Sequence, residues 1–475
     1  MYDIIIVGAG AVGSAVAREA SKYKLKVLVI DRENDVGNVT SMANSAIVHS
    51  GYDPKPGTKK AFHNVRGNKM YPQLCKDLDV EFKQIGSLTC ATNDEEKEVI
   101  ENYISRSKEN GVEIKLLSKE ETKKLEPFIS DNVIESLYAP SAGIVNPFEF
   151  TVALMENAMD NGVELNLNEE VTSLKKIDDG YLVVTNKGEY KSKIVVNSAG
   201  LYSDKISKML GINTYDIKPR KGEYFVLDHF KQPFVSHVIF PTPTAKGKGI
   251  LVTPTTHGNY LVGPSSEFVD DKEDFSTDKL TLDEVRAKST LLVNNIPFQY
   301  IIRQFSGLRA TGTTGDFIIE DHDGFIVLGG IESPGLASAP SIALEVLELV
   351  SKNITLEAKK DFISKRRSVY RLAKMSEKEK NDLIKKDPRF GRIVCRCETI
   401  SEGEIVDAIH RNAGPTSIKG VKKRCRPGFG KCQGGFCEPL ILQILARELN
   451  KDPMSIKYDS DKAYILQKET KGGNK

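Results

Sequence analysis

Four cysteines near the carboxyl end of the chain stand in two close pairs, with a spacing typical of a metal or cluster site. One residue separates Cys395 from Cys397, and four separate Cys432 from Cys437. If the fold brings the pairs together, four thiolates can bind either a tetrahedral zinc ion or an iron–sulfur cluster. Clustering of this kind favours metal ligation over disulfide bonds. Cys425 is a fifth thiol nearby, which we expect to be a spare.

A second stretch with chemical meaning is the glycine-rich sequence Gly8-Ala9-Gly10-Ala11-Val12-Gly13. It follows an apolar run at 4–7 and precedes small residues, and a second apolar run ends in Asp31. In such strand–turn–helix units the glycines permit a tight turn, close approach to a pyrophosphate, and close packing of helix on strand. The helix N-terminus faces the anion, and the acid can accept hydrogen bonds from a ribose. The sequence therefore predicts a dinucleotide site.

Further small-residue turns and three charged or titratable side chains extend this site. The polar stretch 32–51 would run beside the pyrophosphate, and His49 in it is either close to the chemistry or a structural histidine. The turns at 197–200 and 329–338 each follow an apolar run and predict further backbone approaches to the ligand. Arg220 begins a predicted strand and Arg309 precedes a predicted hairpin, and both suit an anion.

Composition bounds the remaining possibilities. The 475 residues include 67 basic and 65 acidic side chains, a net charge of +2, which gives no sign of a nucleic-acid or anionic-membrane binder. No apolar run approaches the roughly 20 residues that span a bilayer. We expect a soluble, cytoplasmic protein, with peripheral membrane association through a partner left open.

In combination these motifs resemble the FAD-dependent oxidoreductases of the D-amino-acid-oxidase superfamily, in the glycerol-3-phosphate dehydrogenase and L-2-hydroxyglutarate oxidase branch. The resemblance covers about residues 1–350 and rests on GAGAVG, TSMANSAIVHSG, VVNSAGLYSD, RKGEYF, GLRAT and GGIESPGLASAP, in family order. The C-terminal stretch is similar to the bacterioferritin-associated-ferredoxin-like [2Fe–2S] domain. Small ferredoxins of that type pair C-x-C with C-x-x-C, whereas the second pair here is C-x4-C.

The resemblance implies an α/β FAD-binding Rossmann-like domain, an interleaved α+β substrate domain with a mostly antiparallel sheet, and a small C-terminal helical iron–sulfur domain. We place the FAD-binding parts at about 1–78, 146–214 and 305–351, and the substrate domain at about 79–145 and 215–304. A charged, solvated linker or helix follows at 352–391, then the [2Fe–2S] domain at 392–451 and a polar tail at 452–475.

The resemblance also implies the residues of the sites. The cluster ligands are the four paired cysteines. His49 is the first candidate for the catalytic base and His237 the second, and Arg309 and Arg220 are candidates for the substrate clamp. The expected FAD contacts are Gly8, Gly10, Ala11, Val12, Gly13, Asp31, Arg32, Thr40, Ser41, Ser45, Val48, His49, Val171, Ala199, Gly200, Gly330, Gly335, Leu336 and Ala337.

The leading functional hypothesis is oxidation of sn-glycerol 3-phosphate, with electrons passing through the cluster to a partner subunit or a quinone-linked pathway. The same residues suit an L-2-hydroxyglutarate or other 2-hydroxy-acid or amino-acid dehydrogenase or oxidase. A hypothesis of another class makes the C-terminal domain a zinc-binding assembly module of a multisubunit complex.

Overall fold

The structure, a computed structural model, describes residues 1–243, 249–460 and 462–468. The strands formed by the described residues are β1 (Tyr2–Val7), β2 (Val27–Ile30), β3 (Ile47–Val48), β4 (Phe82–Gln84), β5 (Ser87–Ala91), β6 (Lys115–Ser118), β7 (Glu135–Ala139), β8 (Gly143–Val145), β9 (Glu164–Asn166), β10 (Val171–Ile177), β11 (Gly180–Thr185), β12 (Glu189–Asn197), β13 (Ile217–Leu227), β14 (Val238–Pro241), β15 (Leu251–Pro254), β16 (Tyr260–Gly263), β17 (Glu267–Phe268), β18 (Ile301–Gly312), β19 (Ile318–His322), β20 (Phe325–Gly329), β21 (Ile393–Cys395) and β22 (Ile400–Ser401). The helices are α1 (Ala11–Ala20), α2 (Lys59–Asp77), α3 (Asp94–Asn110), α4 (Lys119–Leu125), α5 (Pro147–Asp160), α6 (Ser203–Lys208), α7 (Lys279–Ser289), α8 (Gly335–Ser351), α9 (Glu377–Lys386), α10 (Glu402–Ile409), α11 (Ile418–Cys425) and α12 (Glu438–Glu448).

The first large sheet carries the glycine-rich turn. Its strand order is β10-β11-β12-β1-β2-β9, with β20 beside β12 and β19 beside β20. β1 pairs in parallel with β12 and β2, and its residues Ile4, Ile5 and Ile6 are fully buried. Strands covered on both faces need such continuous apolar runs, which explains the sequence pattern. The predicted Rossmann-like fold of this part of the chain is confirmed.

A second large sheet forms the substrate domain. Its order is β17-β13-β16-β15-β14-β5-β7-β6, with β18 along β13, and all its pairings are antiparallel except β14 with β5. The sheet takes its strands from two separate parts of the chain, 87–139 and 217–312. The predicted boundary between residues 304 and 305 falls inside β18. This strand belongs to the second sheet as a whole, since it pairs with β13 over almost its whole length.

The small C-terminal domain packs α10, α11 and α12 around Ile405, Val421, Ile441 and Leu445, with the β21–β22 pair beside them. α11 was not predicted, because half of its eight residues are basic and one is a glycine. Its start is fixed by Ser417, whose hydroxyl accepts a hydrogen bond from the Gly420 amide. Of the predicted polar tail, residues 461 and 469–475 lie outside the described residues.

The segment 352–376 differs from the predicted solvated linker. Arg366 is buried and donates from Nε and Nη2 to Glu156 on α5, at 2.8 and 2.7 Å. Arg371 binds Asp79 at 2.9 Å and also Glu149. Only α9, which has no buried residue, matches the solvated helix expected there. Composition failed here because these arginines neutralise carboxylates supplied by a distant part of the chain.

The C-terminal domain docks on the FAD-binding domain through buried ions. The carboxylate of Asp35 accepts from both Nη atoms of Arg424, at 2.7 and 2.9 Å, and lies 2.8 Å from Lys423 Nζ. Burial raises the pKa of the Asp35 carboxyl, but Arg424 and Lys423 together hold it well below its ordinary value. Phe148 on α5 also stacks on Phe429 of the C-terminal domain.

We expect Asp35→Asn to loosen this contact. Removing the charge leaves two buried cations without a counterion, a change that costs about 3–5 kcal/mol. Because the folded pKa is depressed, the contribution of Asp35 is complete above the unfolded carboxyl pKa of about 3.9 and is lost only as the pH falls through the much lower folded pKa. Denaturant titrations should therefore show a large difference from wild type at pH 7, and most of that difference should remain at pH 3.5, where the Asp35 carboxyl is still ionised in the folded protein.

Asp131→Asn is the matched control, since it removes an exposed carboxylate that pairs with exposed Lys123. Equal stability of Asp35→Asn and wild type at pH 7 would contradict this account of the domain contact.

Within the part of the chain that the structure describes, no helix combines the length and the apolar character needed to cross a bilayer.

Candidate active site and cluster site

A cavity of about 560 Å³ is lined by residues of both large domains. Most of the predicted cofactor and catalytic residues line it, namely Gly8, Gly10, Ala11, Val12, Asp31, Arg32, Thr40, Ser41, Ser45, His49, Val171, Ala199, Gly200, Arg220, Arg309, Gly335 and Leu336. Five predicted site residues are absent from the described lining: Gly13, Val48, His237, Gly330 and Ala337.

The glycine turn forms one part of the wall. Gly8 has a φ of +107°, and a Cβ there would lie 2.5 Å from the Ser198 carbonyl oxygen. Gly13 lies behind the wall, where a Cβ would lie 1.9 Å from the Gly8 carbonyl oxygen. The Ala11 amide donates to Ser41 Oγ at 2.9 Å. The turn thus brings the N-terminus of α1, with first-turn amides unused by the helix itself, to the cavity.

We expect Gly13→Ala to abolish flavin retention, because the added methyl group must push the helix and the glycine turn apart. The absorbance of the purified protein near 450 nm measures the flavin content. Gly188→Ala is the matched control, since no atom lies within 4 Å of a Cβ at that position and its φ is ordinary. A yellow Gly13→Ala protein with full flavin content would contradict the assigned role of this turn.

Asp31 has a double role at the end of β2. Its two carboxylate oxygens accept from the amides of Ala9, at 2.6 Å, and Glu33, at 2.8 Å, so it holds the glycine turn in place. Each oxygen keeps a second lone pair, so the predicted ribose contact stays available. Arg32 beside it stacks over Tyr202, with its guanidinium carbon 4.1 Å from the ring centroid.

His49 lies just after β3, in another part of the wall. Its backbone carbonyl accepts from the side-chain amides of Asn64, at 2.6 Å, and Asn68, at 3.2 Å, which fixes its backbone against α2. Its ring contacts Phe240, with centroids 5.7 Å apart. Among the described lining residues it is the one histidine. The structure therefore places the first candidate base in the cavity.

His237 lies elsewhere. Its Nδ1 is 2.6 Å from the buried carboxylate of Glu126, which also accepts from the His237 amide at 2.7 Å. Its ring packs edge-on against Tyr138. These contacts give His237 a structural role, and the second candidate base is not supported by its position.

The four other residues outside the lining are buried behind it. Val48 and Ala337 belong to the hydrophobic core of the FAD-binding domain. The Ala337 carbonyl lies against Gly67 of α2, where a Cβ would be only 2.0 Å away. Gly330 lies against Gly312 of β18, with a φ of +63°. Spacing alone cannot separate such packing residues from residues that face the ligand.

Two arginines lie side by side on neighbouring strands of the substrate sheet. Arg220 on β13 and Arg309 on β18 are direct partners in the antiparallel register. Like charges placed opposite each other destabilise a sheet. Nη1 of Arg309 and Nε of Arg220 are buried without a hydrogen-bond partner among the described residues. Burial, with Arg220 beside it, lowers the pKa of Arg309.

Lys60 and Glu332 complete this charged group, and sequence reasoning missed both. Glu332 accepts from Arg220 at 2.6 Å, from Lys60 at 3.1 Å and from Thr311 at 2.9 Å. Burial raises the pKa of Glu332, but Lys60 and Arg220 hold it below its ordinary value. Three cations against one carboxylate leave two excess positive charges on the cavity wall. A small dianion matches this surplus.

Tyr224 was also missed. Its hydroxyl lies 3.0 Å from Ser45 Oγ, and its ring stacks on Phe305 at 4.6 Å. Two sequence signals could have found it: it lies in the RKGEYF motif, and it stands four residues after Arg220 on β13, where alternate residues of a strand share a face.

The four paired cysteines come together in the C-terminal domain. Cys397 Sγ lies 3.6 Å from Cys432 Sγ, and the Cys437 thiol donates to Cys395, which lowers the pKa of Cys395 to about 6. Backbone amides also point at the sulfurs: Gly428 and Glu398 bond Cys395, and Gly434 and Phe436 bond Cys432. Such donors stabilise thiolates and cluster sulfurs.

Two close pairs of thiols would suit the two irons of a [2Fe–2S] cluster. Cys425 stands apart, since its thiol donates to the Val421 carbonyl at 3.5 Å and burial raises its pKa well above the ordinary value.

Comparison with known proteins agrees with this geometry. A family model described as "FAD dependent oxidoreductase" matches residues 3–349, and one described as "BFD-like [2Fe-2S] binding domain" matches residues 393–447. A glycerol 3-phosphate dehydrogenase of Caloramator mitchellensis is 49% identical over 99% of both chains. An L-2-hydroxyglutarate dehydrogenase of Escherichia coli K12 is 29% identical over 56% of this chain and 64% of its own.

Among solved structures, the dithionite-reduced L-alpha-glycerophosphate oxidase of Mycoplasma pneumoniae with FAD bound superposes with a TM-score of 0.74. It is 32% identical, and the match covers 78% of this chain and 99% of the oxidase. The glycine turn, the shared cavity and the thiol pairs fit the cofactors of these two families. The chain therefore belongs to the FAD-dependent oxidoreductases and carries a BFD-like [2Fe–2S]-binding domain at its carboxyl end.

Proposed function

We propose that the chain oxidises sn-glycerol 3-phosphate to dihydroxyacetone phosphate. The observation that carries the proposal is the group of Arg220, Arg309, Lys60 and Glu332, which leaves two positive charges uncompensated on the cavity wall. A phosphate monoester carries about −1.5 to −2 charges at pH 7. The similarity to a glycerol 3-phosphate dehydrogenase over the full chain supports the same substrate.

The two arginines bind and orient the phosphate. Their guanidinium groups offer planar, paired donors that suit phosphate oxygens, and the orphaned Nη1 of Arg309 is the donor most in need of an acceptor. Tyr224 contacts both Ser45 and Phe305, and these contacts fix its side chain in the cavity wall. The phosphate end of the substrate is therefore fixed at β13 and β18.

His49 is the proposed base. It takes the proton of the substrate hydroxyl as the carbonyl double bond forms. FAD, when bound, supplies the acceptor for the hydride that leaves the same carbon. The hydrogen bonds from Asn64 and Asn68 hold the His49 backbone, so the ring keeps its place in the cavity wall.

The C-terminal cysteines would hold the group through which electrons leave the protein. A [2Fe–2S] cluster, when bound, supplies one-electron transfer, and the ion contact of Asp35 with Arg424 keeps its domain docked beside the glycine turn. We propose that electrons leave through this domain to a partner subunit or a quinone-linked acceptor, so that the chain acts as a dehydrogenase.

The rival substrate is L-2-hydroxyglutarate, which is also a dianion and is supported by the relatives that oxidise it. Its two carboxylates lie at opposite ends of the molecule. The surplus cations here lie close together and therefore suit a single doubly charged group. Anaerobic flavin bleaching tests the choice, with glycerol 3-phosphate, L-2-hydroxyglutarate and glycerol added separately. Rapid bleaching by glycerol 3-phosphate alone supports the proposal, and preference for L-2-hydroxyglutarate overturns it.

A further inference from the structure

A buried lysine beside the cysteine loops takes no part in the substrate chemistry. Lys422 on α11 is 4% exposed, and its Nζ has no hydrogen-bond partner among the described residues. The nearest aromatic contact is Phe429, with Nζ 4.7 Å from the ring centroid. Burying an ammonium group without an acceptor is unfavourable for stability. A further negative charge close to this ammonium group would therefore be stabilising.

The stem of Lys422 lies close to Gly428, which is one of the two glycines whose amides bond the cysteine sulfurs. A Cβ on Gly428 would lie 3.5 Å from Gly434 Cα and 3.8 Å from Lys422 Cδ. The amides of these two glycines donate to Cys395 and Cys432, one from each ligand pair. The lysine thus lies directly behind the backbone that binds the sulfurs.

We propose that Lys422 raises the reduction potential of the [2Fe–2S] cluster by placing a buried positive charge beside it. The relevance of this tuning to turnover rests on the proposed function, in which electrons leave through the C-terminal domain.

The argument is electrostatic. Reduction adds one electron to the cluster and breaks no bond, so the cluster becomes more negative by one unit. A nearby ammonium stabilises that form more than the oxidised form, and weak screening in the interior strengthens the effect. Glu438 acts in the opposite sense, since its carboxylate lies over Gly434, where a Cβ would be 2.0 Å from Oε1.

A purely structural role for Lys422 leads to a different expectation. Its ring partner Phe429 also stacks on Phe148 of the FAD-binding domain, with centroids 5.5 Å apart. If the cation only supports this aromatic contact, its removal lowers stability and leaves the potential unchanged. The potential therefore separates the two roles.

The test is an anaerobic redox titration of the full-length, cluster-loaded protein with dithionite and mediators, followed by the EPR signal of the reduced cluster. We expect Lys422→Met to shift the midpoint to lower potential and Lys422→Arg to keep it near the wild-type value. Lys431→Met is the matched control: it removes a charge next to Cys432 in the sequence, but from an exposed side chain, so its shift should be smaller.

Glu438→Gln removes the carboxylate that acts against Lys422. It is expected to shift the midpoint to higher potential, and it keeps the proposal testable if Lys422→Met does not retain its cluster. An unchanged midpoint in Lys422→Met, or an equal shift in Lys431→Met, overturns the proposal; so does an unchanged or lowered midpoint in Glu438→Gln. Because the titration uses dithionite, its outcome is independent of which substrate bleaches the flavin.

Discussion

Arg309→Met is expected to lower the second-order rate constant for flavin reduction by glycerol 3-phosphate about 10²- to 10³-fold. Truncating one member of a buried, hydrogen-bonded charge pair costs about 2–5 kcal/mol, and each 1.4 kcal/mol is about tenfold. Glycerol has no phosphate, so its slow reaction should be the same in the variant and the wild type. Anaerobic stopped-flow bleaching at several substrate concentrations measures both rate constants.

The same substitution should leave the substrate-free protein at least as stable as wild type. Arg309 faces Arg220 directly in the sheet, and removing it relieves the repulsion between them. Reduced substrate reactivity with an unchanged or higher melting temperature is the mark of a site arranged for an absent anion. Lys218→Met is the matched control, since it removes an exposed charge from β13, the strand that pairs with β18. An equal loss with glycerol would contradict the assignment of Arg309 to the phosphate.

Cys432→Ser and Cys437→Ser are expected to remove iron and sulfide from the protein while glycerol 3-phosphate still bleaches the flavin. The reason is spatial separation: the thiols belong to the C-terminal domain, and the substrate cavity is lined by the two other domains. Turnover with a bulky one-electron protein acceptor should be lost. Iron and sulfide analysis, anaerobic bleaching and acceptor reduction measure the three quantities.

Cys425→Ser is the matched control for these variants. Its thiol lies outside the two pairs and bonds only the Val421 carbonyl among the described contacts, so iron content and turnover should stay at the wild-type level. Iron retained by both Cys432→Ser and Cys437→Ser would contradict the ligand assignment, and zinc in place of iron would favour an assembly role. Unchanged acceptor reduction without iron would contradict the electron route.

Local patterns in the sequence predicted most of the fold and most of the residues that line the cavity. The apolar run before Gly8 and the acid at Asp31 predict strand, turn, helix and second strand, and the structure contains all four. These features were readable because one short, continuous segment contains them. The turn predicted at 329–338 overlaps the first four residues of α8, since the helix begins at Gly335, directly after Pro334.

Contacts between residues that lie far apart in the chain could not be predicted in this way. Lys60 and Glu332 lie 272 residues apart in the chain, and neither has a neighbour that marks it as part of an anion site. The facing of Arg220 and Arg309 depends on the register of β13 and β18, which the sequence alone does not fix. Gly13, Val48, Gly330 and Ala337 share the composition of the cofactor motifs but serve packing.

The contacts of the segment after α8 bear on how this protein can be divided. Three carboxylates of the FAD-binding part, Asp35, Glu149 and Glu156, are buried against arginines and a lysine that all lie beyond residue 351. A shortened chain ending there would retain the cavity and lose every one of these counterions. Converting this protein into a two-domain oxidase, or transplanting its C-terminal domain onto another flavoprotein, therefore requires these acids to be exchanged together with the boundary.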